Sequence, residues 1–175
     1  MSRRIPIEVS ARHIHLSKDH LEKLFGKGHE LSPDKPLSQP GEFVSVERLS
    51  VAGPRDIIHN VAVLGPLRMK TQVEITFTEA RKLGLQPPIR ESGDLEGSAG
   101  CRLIGPEGEV ELDSGVIIPK RHLHLSERDA EELGVKNGDI VSIKTDTVER
   151  ETIFGDVVVR VSDKYSCAVH LDTDE

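Results

Sequence analysis

The chain carries one six-residue motif twice, and each copy contains a histidine pair suited to binding a metal. Residues 12–17 read RHIHLS, and residues 121–126 read RHLHLS. In a β-strand, residues i and i+2 point to the same face, about 6.6 Å apart along the strand. Each copy therefore presents two imidazoles to one place, and histidine is the commonest metal ligand in proteins. The repeat predicts a metal site built in two halves.

Two further side chains are candidates for additional ligands. Four imidazoles could complete one tetrahedral site, or each pair could hold its own metal with help from Glu74 and His170. A solvated strand that shows two histidines by chance is the alternative interpretation of a single copy. Two copies with nearly identical flanks disfavour it. His20, His29 and His59 lack a partner at this spacing and are predicted to lie at the surface.

Arg68 begins an alternating polar pattern that continues through Lys70, Gln72 and Glu74. A strand with one polar face normally shows it to water, which is the simpler interpretation. The functional interpretation is a strand that lines a wet site, with Arg68 for an anion and Glu74 for a metal. A helix N-terminus, which favours anions, is expected directly after each histidine pair.

Composition narrows the function class. The 175 residues make one sizeable domain or two small ones, and a net charge of −7 disfavours nucleic acid as a general partner. No apolar run is long enough to cross a membrane. Cys101 and Cys167 form no Cys-x-x-Cys pair, which favours reduced thiols in the cytosol. The chain has no Walker loop, no Gly-x-Ser-x-Gly elbow and no Cys-His nucleophile spacing. The residues alone therefore predict a di-metal site that handles an anionic or acyl substrate.

Many short strands with short capping helices predict small β-barrels, and the repeated motif predicts two of them. Helices are expected at residues 18–25 and after Ser126, with Gly26 and Gly134 as their ends. A third helix is expected from the match between residues 76–85 and residues 126–135. The expected strands lie at residues 5–10, 73–77, 101–104, 110–112, 115–119, 140–144 and 157–161.

Several segments resemble the PduL-type phosphate acyltransferases, also called phosphate propanoyltransferases. The likeness runs in order from about residue 5 to the end. It is carried by residues 9–17, 37–41, 64–68, 71–74, 90–94, 121–124 and 170–175.

The resemblance implies a mainly β fold of two small β-barrels related by internal duplication, each capped by short α-helices. It places the N-terminal strand in the C-terminal barrel. The implied domains are residues 1–11 plus 120–175 for one barrel and residues 12–119 for the other.

The resemblance also implies the reaction, in which acyl-CoA and phosphate give acyl phosphate and coenzyme A, and the reverse. Two zinc ions per chain are implied. Their ligands are two sets of three, namely His13, His15 and Glu74, and His122, His124 and His170. Arg68 matches the phosphate-binding arginine of the family. Further positions that match residues lining the site are Gln39, Gln72, Ser92 and Arg160.

No protein nucleophile stands out, so direct attack of phosphate on the thioester is the simplest mechanism. A di-zinc hydrolase of an ester or phosphodiester is the competing class, and a metal-stapled binding module is a third. The short segment ahead of the first strand lacks the extension of microcompartment members, so a free cytoplasmic enzyme is expected. A homodimer is expected from the likeness alone.

Overall fold

A computed structural model describes residues 3–175 of the chain. The fold is mainly β with three short helices, as the sequence predicts. The elements in chain order are β1 (Ile7–Ser10), β2 (His13–His15), α1 (Lys18–Phe25), β3 (Pro33–Pro36), β4 (Phe43–Ala52), β5 (Ile57–Gly65), β6 (Gln72–Glu74), α2 (Phe77–Leu83), β7 (Ile89–Arg90), β8 (Ala99–Ile104), β9 (Glu109–Pro119), β10 (His122–Leu125), α3 (Glu127–Leu133), β11 (Ile140–Lys144), β12 (Ile153–Val161) and β13 (Ala168–Asp172).

The chain divides into two compact units, each with its own aliphatic core. The central unit comprises residues 11–119 and 174, and the terminal unit comprises residues 3–10, 120–173 and 175. Leu49, Val63 and Leu103 are among the buried residues of the central core, whereas Leu125 and Val159 belong to the terminal core. A short alternating strand cannot bury enough apolar surface alone, so the strands of each unit are stable only when they pack together around the core of that unit.

The central unit contains a closed β-barrel of six strands. Its order is β4–β5–β2–β6–β9–β8, and β8 pairs back onto β4. The strand β3 joins β4 outside the ring, and β7 joins β9. Closure leaves β2 and β6 without a free edge, so their side chains are held in a fixed register.

The terminal unit contains a five-stranded sheet in the order β1–β13–β10–β12–β11. The first strand, β1, pairs in parallel with β13, and Glu8 stands opposite His170. The histidine strand β10 is interior to this sheet, between β12 and β13.

The helices begin and end where the capping residues predict. Ser17 caps α1 and accepts a hydrogen bond from the His20 backbone N–H, and Gly26 ends the helix. Thr76 and Glu79 form a complete capping box at the start of α2. Ser126 caps α3, and its hydroxyl also donates to the Asp129 carboxylate.

Two predicted strand segments are wrong. The strand expected at residues 73–77 ends at Glu74, because the capping box at Thr76 makes Phe77 the first residue of α2. Arg68 and Lys70 lie in a bend between β5 and β6, not on a strand. The Arg68 backbone N–H donates to the Leu16 carbonyl at 2.9 Å, and this bond fixes the bend beside the end of β2.

None of the helices formed by residues 3–175 has the length and apolar character that a membrane span requires.

We expect Gly53→Ala to destabilise the central unit by about 1–3 kcal/mol, because a Cβ at Gly53 would lie 2.3 Å from the Leu83 carbonyl oxygen at the end of α2. Gly155→Ala is the matched control, since a Cβ there meets nothing within 4 Å. Urea unfolding followed by circular dichroism measures both variants. Equal midpoints would show that α2 can move away from β4 freely.

Candidate metal centres

Each histidine pair lies on a strand with the same two kinds of neighbour. β2 has β5 in parallel on one side and β6 in antiparallel on the other. β10 has β12 in parallel and β13 in antiparallel. The antiparallel neighbour supplies a third side chain directly opposite the first histidine. These opposed pairs are His13 with Glu74, and His122 with His170.

The first cluster is formed by His13, His15 and Glu74 in the central unit. Potential ligand atoms of the three side chains all lie within 4.8 Å of one another, and all three residues are buried. His13 Nε2 is 3.4 Å from Glu74 Oε2. The two imidazoles are 5.0 Å apart and perpendicular. One carboxylate and two imidazoles are a ligand set that zinc uses.

The second cluster is formed by His122, His124 and His170 in the terminal unit, again with potential ligand atoms within 4.8 Å. The ring of His124 is 4.6 Å from that of His122 and 4.8 Å from that of His170. Tyr165 stacks on His124 at 4.1 Å. Tyr165 is not among the site residues predicted from the sequence, and its proximity to His170 along the chain is the only signal that points to it.

Backbone carbonyls fix the protonation of the first histidine in each pair. The Nδ1 atom of His13 is 2.8 Å from the Ala11 carbonyl oxygen, and that of His122 is 2.9 Å from the Lys120 carbonyl oxygen. A carbonyl oxygen only accepts, so each Nδ1 donates, and in the neutral ring the lone pair lies on Nε2. Metal-bound histidines are commonly oriented in this way.

The second histidine of each pair carries buried nitrogen atoms without a hydrogen-bond partner. They are Nδ1 of His15 and both ring nitrogens of His124. Buried polar atoms are usually satisfied, and leaving one unsatisfied costs roughly 1–3 kcal/mol. A metal ion that accepts a nitrogen lone pair relieves this cost. The donor sets and their protonation therefore fit a divalent metal such as zinc.

Burial keeps these imidazoles in the neutral form that binds metals. It lowers the pKa of His15 to about 2, with smaller contributions from the charges of His13 and Arg68. It likewise lowers the pKa of His124 to about 2, aided by its two histidine neighbours and by Arg160. Neutral imidazole does not have to lose a proton before it binds a metal.

His13 and Glu74 shift each other's pKa towards the charged forms. Burial alone would lower the pKa of His13, but the negative charge and hydrogen bond of Glu74 outweigh burial and raise it. Burial would raise the pKa of Glu74, but His13 outweighs that effect and lowers it. Glu74 is therefore a carboxylate, the form that binds a metal.

A chain of hydrogen bonds connects Arg68 to the first cluster. A guanidinium nitrogen of Arg68 donates to Ser92 Oγ at 2.8 Å. The amide nitrogen of Gln72 lies 2.9 Å from Ser92 Oγ and 2.6 Å from Glu74 Oε1. The Gln72 amide oxygen accepts from the Gly93 backbone N–H at 2.8 Å. These contacts hold the loop after β7 against β6 and give Arg68 a fixed position relative to Glu74.

The simpler interpretation of the alternating pattern from Arg68 is wrong for its second half. Gln72 is only 2 % exposed and Glu74 only 5 %, so this polar face points inward. Lys70 is exposed, because it belongs to the bend and not to the strand. Arg68 is partly exposed and lies 3.8 Å from the Glu42 carboxylate.

The remaining predicted residues fall in both units. Gln39 is buried in the turn before β4, and its carbonyl accepts from the Glu42 backbone N–H. Arg160 lies on β12 directly opposite His124. His20 and His29 are partly exposed, and each is hydrogen-bonded: His20 Nδ1 is 2.8 Å from Thr71 Oγ1, and His29 Nε2 is 2.9 Å from the buried Glu47 carboxylate. His59 is exposed as predicted.

A comparison with protein families matches residues 6–175 to the phosphate propanoyltransferase family. The chain belongs to this family. The match confirms the resemblance seen in the sequence, and it makes the protein an acyltransferase enzyme by class.

Phosphate propanoyltransferases from several bacteria are similar to the chain along nearly its whole length. The enzyme of Thermotoga maritima is 50% identical over 171 residues, which are 98% of this chain and 81% of the relative. That of Lachnoclostridium phytofermentans is 50% identical over 172 residues, 98% of this chain and 80% of the relative. That of Salmonella typhimurium is 47% identical over 173 residues, 99% of this chain and 82% of the relative.

We expect acid to destabilise this phosphate propanoyltransferase family member through His124 when metal is removed by a chelator. The pKa of His124 is about 2 in the folded state, against an ordinary value of 6.5 that applies to the unfolded chain. The unfolded chain therefore takes up the proton first as the pH falls. Between pH 7 and pH 5 this effect lowers the free energy of unfolding by about 2 kcal/mol. His124→Gln should remove that part of the loss.

Urea unfolding at the two pH values measures the difference. His59→Gln, which removes an exposed histidine outside both clusters, is the control and should keep the wild-type pH dependence. A His124→Gln variant with the wild-type loss of stability would show that His124 is not kept neutral in the folded chain.

Proposed function

We propose that the protein is a zinc-dependent phosphate acyltransferase that interconverts propanoyl-CoA and phosphate with propanoyl phosphate and coenzyme A. The family match over residues 6–175 carries the reaction class. Two compact three-residue clusters support the metal dependence. Acetyl-CoA is a second substrate under this proposal, because one methylene is worth only about 1–3 kcal/mol of discrimination.

The proposed zinc ligands are the two clusters already described. Their buried nitrogen atoms and the Glu74 carboxylate suit zinc better than Mg²⁺ or Ca²⁺, because those two ions prefer sites made only of oxygen atoms. Zinc at these positions would polarise the thioester carbonyl and stabilise the departing thiolate.

The reaction needs one bond made and one bond broken at the acyl carbon. A phosphate oxygen attacks the thioester carbonyl carbon, and the carbon–sulfur bond breaks to release coenzyme A as a thiolate. The acyl group leaves on phosphate. No protein nucleophile is required, so the main tasks of the protein are positioning and electrostatic stabilisation.

Arg68 is the proposed phosphate-binding residue. Its guanidinium is only partly exposed, and Ser92 holds one of its nitrogens. A planar guanidinium can donate two parallel hydrogen bonds to a phosphate, which fixes the oxygen that attacks. Gln72 connects the same serine to Glu74, so the phosphate position would be tied to the first cluster.

Further substrate contacts are proposed at Gln39, Gln72, Ser92 and Arg160. Gln72 and Ser92 belong to the network around Arg68, and Arg160 lies beside His124 in the second cluster. Arg160 adds positive charge to a cluster that has no carboxylate among its three members, which favours an anionic ligand there. The expected homodimer and cytoplasmic location stay predictions of the family resemblance.

The proposal is tested by thiol release from propanoyl-CoA with and without phosphate. We expect release that requires phosphate and that yields one acyl phosphate for each thiol, trapped as the hydroxamate. Release that proceeds equally well without phosphate would identify a hydrolase. No release under either condition, with zinc bound, would identify a binding module.

We expect Arg68→Ala to raise the Michaelis constant for phosphate about tenfold to a hundredfold and to change that for propanoyl-CoA much less. The loss of charge-assisted hydrogen bonds to one substrate, worth roughly 1.5–3 kcal/mol, is the physical reason. Steady-state kinetics with each substrate varied in turn measures both constants. Arg102→Ala removes an exposed arginine of β8 that pairs with Glu109, and it should leave both constants unchanged. If the two constants rise together in Arg68→Ala, the arginine supports the fold and the phosphate binds elsewhere.

A further inference from the structure

The three histidines of the second cluster differ in what holds their rings. His122 is oriented by its hydrogen bond to the Lys120 carbonyl at 2.9 Å. His170 has the Glu8 carboxylate 3.9 Å from Nδ1, on the neighbouring strand. Neither ring nitrogen of His124 has a hydrogen-bond partner, although both atoms are buried. The torsion that turns an imidazole about its Cβ–Cγ bond has broad minima, so neighbours must set the ring angle.

Tyr165 is the neighbour that restricts the ring of His124. The two rings stack with centroids 4.1 Å apart and planes 20° apart, closer than the ring of His122 or that of His170. Tyr165 lies in the connection between β12 and β13, where its backbone N–H donates to the Ser162 carbonyl at 2.9 Å. The Ser162 backbone N–H in turn donates to the Leu125 carbonyl at 3.0 Å, which ties this turn to the end of β10.

The corresponding position of the first cluster explains why the second needs this contact. His15 stands opposite Gln72, a long buried side chain that belongs to a hydrogen-bonded network. His124 stands opposite Ala168, whose methyl group offers no comparable contact. Tyr165 supplies a flat ring surface against His124, which Ala168 of β13 does not.

We propose that Tyr165 is a positioning residue for the second metal site, whose ring face holds His124 at the angle that metal binding requires. The inference rests on the proposed zinc dependence. The ring face positions His124 and the hydroxyl is not needed, so phenylalanine at residue 165 should preserve zinc binding and leucine should not. The guanidinium of Arg160 lies over the same ring at 5.8 Å, so Tyr165 also contacts a proposed anion-binding residue.

The composition supplies a direct reporter of this contact. Tyr165 is the only tyrosine and the chain has no tryptophan. Intrinsic ultraviolet emission therefore comes from the ring that stacks on His124. Occupation of the second cluster by zinc should change this emission, whereas occupation of the first cluster should not.

The experiment measures zinc binding to the full chain by competition with a chromogenic chelator. We expect two zinc ions per wild-type chain. In Tyr165→Leu one of the two dissociation constants should rise about tenfold or more, which is the usual effect of losing a residue that orients a ligand. Tyr165→Phe should keep both constants within about threefold of wild type.

Phe25→Leu is the matched control for removing a ring that stacks on a histidine. Phe25 lies on His29 with centroids 5.1 Å apart and planes 20° apart, outside both clusters. Both zinc constants should be unchanged in this variant. Far-UV circular dichroism checks that each variant is folded.

The ultraviolet emission of Tyr165 gives a second test, in which the tyrosine is kept and a histidine of one cluster is replaced. The emission should respond to zinc in His13→Ala, which keeps the second cluster, and should not respond in His122→Ala. Tyr165→Leu with both wild-type constants, Tyr165→Phe as weak as Tyr165→Leu, or emission that ignores zinc in His13→Ala would each overturn the inference. Failure of the wild-type chain to bind zinc would instead overturn the metal dependence proposed for the enzyme.

Discussion

The register between a histidine strand and its antiparallel neighbour is the constraint on which both clusters depend. A slip of one residue between β2 and β6 would turn Glu74 to the opposite face and place a valine beside His13. The same slip between β10 and β13 would remove His170 from His122. The closed barrel of the central unit holds its register by leaving β2 and β6 no free edge. In the terminal unit β10 is held by a neighbour on each side, so the hydrogen bonds of the sheets themselves place the residues of each cluster.

Each cluster is a polar group inside an aliphatic surrounding, and the chain tolerates it by different means. In the central unit His13 lies 3.4 Å from the Glu74 carboxylate, and Gln72 and Ser92 extend this polar network outwards to Arg68. Such networks are favourable only when their members are satisfied. In the terminal unit the neutral His124 is packed against aromatic rings instead. The first cluster is thus held mainly by hydrogen bonds and charge, and the second also by packing.

The sequence predicted the fold class and the elements that carry strong local signals. The helix at residues 18–25 has a serine at its start and a glycine after its end, and the structure gives those bounds. The strand predicted at residues 73–77 failed, because alternation continues past Glu74 while Thr76 and Glu79 already begin a helix. The sequence singled out both histidine pairs, but Glu74 and His170 gained weight only from the family resemblance. Their places opposite the first histidines depend on pairing between distant strands. Tyr165 was missed for the same reason, since it lies in the connection between β12 and β13 and contacts a histidine on β10, about 40 residues earlier in the chain.

The residue opposite the first histidine is Glu74 in the first cluster and His170 in the second, and this difference changes the net charge of a metal-bound cluster. Two neutral imidazoles and one carboxylate leave a divalent ion with a net charge of one, whereas three neutral imidazoles leave it with a net charge of two. The two clusters share the same arrangement of neighbouring strands and the same carbonyl contact at the first histidine, yet they would differ by one elementary charge. With a divalent ion bound, the cluster of three histidines would be the stronger electrophile and would hold an anion more tightly, and the cluster with Glu74 would release an anionic ligand more readily. A substitution at one cross-strand position is enough to make two matching sites chemically unequal.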